Sequence, residues 1–130
     1  MPSTVCRALI AALCVPLALF FAFVGWNKAF APLADLARHG AWTIHLPEAA
    51  GRLVGWSEMA CAVLLLTAPF HLQRPVALLA ALGLVANQLV AGAVHLTHGE
   101  AGALPQNAVL ILMLLALASL SHTRKWRGKE

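Results

Sequence analysis

Apolar residues in this chain come in long runs, without the strict alternation of a half-buried strand. The first run, 8–26, carries no charge and, at about 1.5 Å per helical residue, is long enough to cross roughly 30 Å of hydrocarbon. A second, 48–70, opens on Pro47-Glu48, with proline suited to a first helical turn and the acid near the positive end of the helix dipole. The third, 76–95, contains Asn87 and Gln88, and the fourth, 104–120, has Asn107 near its start. Between the first two runs, Leu33, Leu36 and Ala37 are spaced for one face of a short helix ended by Gly40. Pro69, Arg74 and Pro75 punctuate a turn, and 96–103 is a short polar loop. The pattern predicts an all-α protein: a membrane four-helix bundle, one transmembrane domain over 1–130, with spans at about 8–26, 48–70, 76–95 and 104–120 and a short interfacial helix between the first two.

Composition agrees, since 61% of the residues are hydrophobic and 11% charged, against about a quarter charged in soluble domains. The net charge of +4 does not point to nucleic acid, because Arg124, Lys125, Arg127 and Lys129 crowd the tail right after an apolar run, where they suit anionic lipid. Arg7, Arg74 and these four fall on one side of a four-span chain, and Lys28, Arg38 and Arg52 on the other. The positive-inside rule then puts both termini in the cytoplasm, in a bacterial inner (plasma) membrane. Arg7 and Ala29-Phe30-Ala31 imitate a cleavable signal peptide, but the apolar run exceeds a signal core and Trp26 with Lys28 resembles an interfacial belt, so the segment reads as retained. Cys6, Cys14 and Cys61 form no C-x-x-C pair and read as small buried hydrophobes.

Glu58 is the most informative polar residue, because an acid inside an apolar helix costs several kcal/mol unless it faces protein or water and finds a partner. Gly51, Gly55 and Glu58 share one helix face, with the two glycines permitting close packing. Glu58 then either fixes helix register through a pair or handles a proton or ligand. Lys28 ends the first helix toward the same half, either snorkelling to the interface, the commoner behaviour, or pairing with Glu58. His95 closes the third helix there and shares a face with Gln88; it reads as an interfacial histidine bonded to a carbonyl or as a proton relay. Asn87 and Gln88 suit hydrogen bonds between helices, and Asn107, near Pro105, suits backbone groups at the start of the fourth helix. Ligand-binding or proton-handling candidates are thus Lys28, Glu58, His95, Gln88 and Asn107. His95, His98 and Glu100 have ligand chemistry but common spacing, so no metal is assigned. The histidines sit at span ends or in loops, where a bis-histidine haem has no footing. No phosphate loop, nucleophile elbow, H-E-x-x-H or C-x-x-C occurs, and no catalytic residue is named.

Four stretches resemble the DoxX-like family of small membrane proteins: Gly25-Trp26-Asn27-Lys28, Gly51-Arg52-Leu53-Val54-Gly55-Trp56-Ser57-Glu58, Ala93-Val94-His95-Leu96-Thr97-His98-Gly99-Glu100 and Leu104-Pro105-Gln106-Asn107. They occur in order at the span ends and cover nearly the whole chain. The resemblance implies family positions at Lys28, at Gly55 with Glu58, and at His95, where Ala93-Val94-His95 is one residue tighter than the family's A-x-x-H stretch. Relatives in the wider group include membrane subunits of a thiosulfate:quinone oxidoreductase, proteins linked to membrane redox homeostasis and an animal branch resembling a receptor-assembly chaperone. Two expectations follow: a quinone-linked or redox-associated membrane subunit, or a non-catalytic partner that assembles another membrane protein. Partners would be the lipid bilayer and a membrane protein or a second copy of the chain.

Overall fold

The computed structural model describes residues 3–70 and 74–127, with side chains from 4–70 and 75–122. Five α-helices account for most of it: α1 (Ser3–Phe30), α2 (Leu33–Arg38), α3 (Glu48–Leu65), α4 (Arg74–Thr97) and α5 (Leu104–Arg127), with 3-10 helices at Trp42–His45 and Ala101–Ala103. No strand occurs among the described residues. The all-α class therefore stands.

Three helices, α1, α4 and α5, are long and apolar enough to cross a membrane. Helix α3 has 18 residues and carries Glu48, Arg52 and Glu58. The helices also differ in extent from the runs that predicted them. The first run extends to 28 residues, passing through Pro16, and the last continues into the basic tail as far as Arg127. The second stops at Leu65, short of residue 70, because the N–H groups of Leu66, Thr67, Ala68 and Phe70 donate to carbonyls three residues back, a tighter winding that runs through Pro69. The predicted turn beyond it includes 71–73, which lie outside the described residues, as does Lys129.

Antiparallel neighbours pack α1 on α3, α3 on α4, α4 on α5 and α5 back on α1. The core runs along this ring through Ile10, Cys14, Leu17, Phe21, Leu65, Leu84, Leu114 and Leu117. Outside, Leu19, Phe23, Leu53, Val63, Leu79 and Leu112 are exposed by 65–71%, so the outer surface is apolar around every long helix, as lipid contact requires.

One end of the ring is covered by the chain between α1 and α3, and the half toward this capped end holds buried Lys28, Thr43, Glu58, Gln88, His95 and Asn107. Its shape comes from two glycine-terminated helices. After α2, Gly40 takes φ +70°, Gly40 N–H donates to Ala37 O and Ala41 N–H to Leu36 O. After α4, Gly99 takes φ +71°, Gly99 N–H donates to Leu96 O and Glu100 N–H to His95 O. Both are Schellman motifs, in which a left-handed residue lets the chain fold back over the last turn. The first delivers Trp42 into the core, and the second turns Glu100 back beside His95.

Candidate functional site

The site begins with a backbone contact between α1 and α3. A Cβ on Gly55 would lie 2.6 Å from both Ala29 N and Gly25 O, and one on Gly25 would lie 2.7 Å from Gly55 O. Only glycine allows the helices to come this close. Gly51, one turn earlier in α3, lies against Thr43, where a Cβ would meet the threonine at 3.2 Å. The face formed by Gly51 and Gly55 is thus filled within the chain.

That contact puts Lys28 and Glu58 within reach of one another. Lys28 Nζ donates to Glu58 Oε1 at 2.6 Å, with Glu58 wholly buried and Lys28 8% exposed. Of the two behaviours open to Lys28, pairing prevails over snorkelling, because close packing leaves its stem beside the acid rather than pointing along the helix. Asn87 Nδ2 also donates to Glu58 Oε1, at 2.9 Å from α4. Lys28 further lies over the Trp42 ring, 5.4 Å from its centroid, within cation–π range. Arg52 Nη1 donates to Lys28 O at 2.9 Å and so satisfies a carbonyl in the last turn of α1.

On the other side of the ring, Asn107 in the first turn of α5 donates through Nδ2 to Gln88 Oε1 at 3.0 Å and Gln88 O at 3.2 Å. Its partners are therefore on α4 and not, as the sequence suggested, in its own helix. A polar side chain at a helix start can serve either backbone; the α4–α5 packing brings Gln88 to it. His95 is 5% exposed, and its Nδ1 has no hydrogen-bond partner, with Glu100 Oε2 beyond hydrogen-bond range at 3.6 Å. A simple interfacial histidine bonded to a carbonyl through Nδ1 is thus not what the structure contains.

A cavity of about 320 Å³ lies among these residues. Its polar lining includes Lys28, Gln88, His95 and Asn107 with Asn27, Asp35 and His39; its apolar lining includes Phe20, Val24, Trp42, Ala91 and Leu110. Phe23, 70% exposed on α1, exposed Gln106 on α5 and exposed His39 and Gly40 after α2 are also lining residues, so the cavity is open both on the flank between α1 and α5 and beside the α2 turn. Four of the five candidate residues converge here from three helices. Glu58, the fifth, is not among the lining residues and touches the cavity only through Lys28.

A model of the DoxX-like family matches residues 12–118, a stretch that contains every residue of this site. The chain belongs to the DoxX-like family. No curated protein and no solved structure matches it. Family membership and three membrane-length apolar helices make this DoxX-like chain a small membrane protein.

Sequence reasoning did not single out Gly25 as the other half of the helix contact, Asn87 as the second donor to Glu58, or Trp42 as a cavity wall. Gly25 and Trp42 lie within the motifs and the interhelix segment with no distinguishing sequence signal, whereas Asn87, an amide in an apolar run, is expected to bond between helices and does so, its partner being what the sequence does not show. His45 is a further addition: its Nε2 lies 2.6 Å from Glu100 Oε1, joining the 3-10 helix to the loop after α4.

Proposed function

We propose that the chain is a quinone-linked, redox-associated subunit of the membrane, and that the cavity between α1, α4 and α5 receives the quinone headgroup. The observation that carries this reading is the mixed lining of a cavity of about 320 Å³, in which Lys28, His95 and Asn107, with Asn27, Asp35 and His39, lie among Phe20, Val24 and Leu110. Such pockets, mostly apolar with a few convergent polar groups, suit a planar ring bearing carbonyl oxygens. The flank opening between α1 and α5 suits an isoprenoid tail continuing into lipid. The unpartnered Nδ1 of buried His95 is a polar atom that a ligand or its bound water would satisfy.

When bound, a quinone supplies reversible two-electron, two-proton carbonyl chemistry. Lys28, held by Glu58 and Trp42, is a fixed cation that orients a ligand oxygen. Asn107, whose Nδ2 donates to Gln88, keeps Oδ1 as the atom that would accept from the hydroxyl of a reduced ring. His95 holds or releases a proton at the wall, and Glu100 at 3.6 Å gives that proton a route toward the partly exposed loop.

The same proposal takes α3 as a fourth crossing. Its charged Glu58 faces inward against Lys28, while Leu53, Trp56, Val63 and Leu66 face out. The exposed aromatics Trp26, Phe30 and Trp56 adjoin one another, at 4.5 and 5.2 Å between centroids, and suit an interfacial belt at the capped end. Basic residues concentrated toward the opposite end favour termini in the cytoplasm and a capped end on the extracytoplasmic side of the membrane. The assembly-partner reading is motivated by the absence of a recognised catalytic set and by the Gly51 and Gly55 face; that face is occupied by Thr43 and α1, which removes the second motive and favours the cavity reading.

The test is organic extraction and mass spectrometry of protein purified in mild detergent. Stoichiometric quinone, lost in Asn107→Leu and His95→Leu variants that keep their helicity, supports the reading. Protein that carries none and takes up none from quinone-loaded micelles refutes it.

A further inference from the structure

We propose that His45, His98 and Glu100 form a binding site for a divalent transition metal of the zinc class at the capped end of the helices. One ligand atom from each of the three lies within 4.8 Å of the others. The donor set, two imidazoles and a carboxylate, suits zinc or its neighbours and leaves a fourth position for water.

The local structure prepares each ligand. His98 Nδ1 lies 2.8 Å from Val94 O and 3.2 Å from Thr97 Oγ1. Donation from Nδ1–H to the carbonyl places the lone pair of the neutral ring on Nε2, the arrangement that orients histidines bound to metals. His45 Nε2 faces Glu100 Oε1 at 2.6 Å, and the His45 ring stacks on His98 with centroids 3.7 Å apart and planes 17° from parallel. Glu100 is held in this position by its own N–H donating to His95 O. Its other oxygen, Oε2, faces His95 Nδ1 and remains free of the metal.

Bond lengths of about 2.0–2.2 Å in a tetrahedral site separate donors by roughly 3.4 Å. The His45–Glu100 contact must open by less than 1 Å, and the widest pair must close by somewhat more. Rotation of partly exposed side chains provides both, with His45 sliding off the His98 ring. The three ligands come from separate places: the 3-10 helix that carries Trp42, the end of α4, and the loop leading to α5. A bound ion therefore clamps the cap of the cavity to the end of α4. Nothing in this site depends on what the cavity holds.

The experiment uses the full chain in detergent, purified with a tag that contains no histidine, stripped with chelator and titrated with Co²⁺. The expected result is one Co²⁺ per chain with a tetrahedral visible band, displaced by Zn²⁺. His98→Ala and Glu100→Gln should each weaken binding by at least about 10–100-fold, the range seen even for residues that merely support ligands. His39→Ala, which alters an exposed histidine on the other Schellman turn, should leave it unchanged. Circular dichroism establishes that each variant remains helical; if His98→Ala does not, His98→Gln and His45→Gln replace it. Absence of a saturable band, or equal binding by the His98 and His39 variants, overturns the proposal.

Discussion

Lys28 Nζ and Glu58 Oε1 meet at 2.6 Å inside the protein, thirty positions apart in the chain. They are neighbours because Gly25 and Gly55, each three residues earlier on its own helix, bring α1 and α3 into backbone contact. The pair has a second donor in Asn87, but Glu58 Oε2 has no partner among the described residues. The ion pair is thus better matched at one oxygen than at the other.

Breaking such a pair from one side leaves an uncompensated buried charge, which costs about 3–5 kcal/mol in soluble proteins. Lys28→Met and Glu58→Leu should each destabilise the fold by several kcal/mol, while the double variant recovers most of the loss. Reversible unfolding in mixed micelles, arranged as a double-mutant cycle, measures this. Additive losses would mean that the two residues act independently.

The glycine contact makes a sharper, position-specific prediction. Gly55→Ala drives a Cβ into backbone atoms at 2.6 Å, which cannot rotate away, so α1 and α3 must separate at an overpacking cost of about 1–3 kcal/mol. Gly83→Ala, on α4, meets only Cys61 Sγ at 3.9 Å and should be neutral or stabilise by up to about 1 kcal/mol through helix propensity. Thermal denaturation of the two variants side by side separates packing from propensity. The Gly55 variant should also lengthen the Lys28–Glu58 contact.

These cases show what a sequence of this kind can express. Glu58 had to face inward because an acid in an apolar helix requires a partner, and Gly51 with Gly55 on the same face indicated close packing. The identity of the partner was not legible, since the long stem of Lys28 is compatible with both the interface and the interior. Asn107 could serve its own helix or another, and only the relative shift of α4 and α5 assigns it to Gln88. His45 and Glu100 are 55 positions apart and meet because two left-handed glycines fold their segments over the same end. Periodicity within a helix carries no information on such meetings. Helix α3 is shorter than its apolar run for a local reason: apolar composition continues past Leu65, while the backbone tightens before Pro69.

Asn107→Leu removes both hydrogen bonds to Gln88 and leaves Gln88 Oε1 without this donor beside the cavity. Hydrogen bonds between membrane helices average about 0.6 kcal/mol, with a maximum near 1.7, so the stability loss should be modest. Loss of cavity binding should be larger, because the variant replaces one of the cavity's polar lining groups with an apolar side chain. Comparing unfolding with quinone retention in the same preparation distinguishes a site residue from a packing residue.

The loop after α4 should respond to acid in a defined direction. The hydrogen bond from His45, the largest influence, holds the Glu100 carboxyl below the usual carboxylate range against the opposing effect of desolvation, helped by the nearby His45, His95 and His98 rings. A carboxylate whose folded pKa is depressed contributes stability that is fully present above its unfolded pKa and lost as pH falls through the folded one. The His45–Glu100 contact should therefore persist through neutral and mildly acidic pH and fail only below the ordinary carboxylate range. Amide hydrogen exchange at residues 98–103 should stay slow down to that point and then quicken, after correction for intrinsic rates. Glu100→Gln should remove this acid transition, with the loop already faster at neutral pH. A transition centred near pH 6.5 would instead assign control to a histidine and refute the role given to Glu100.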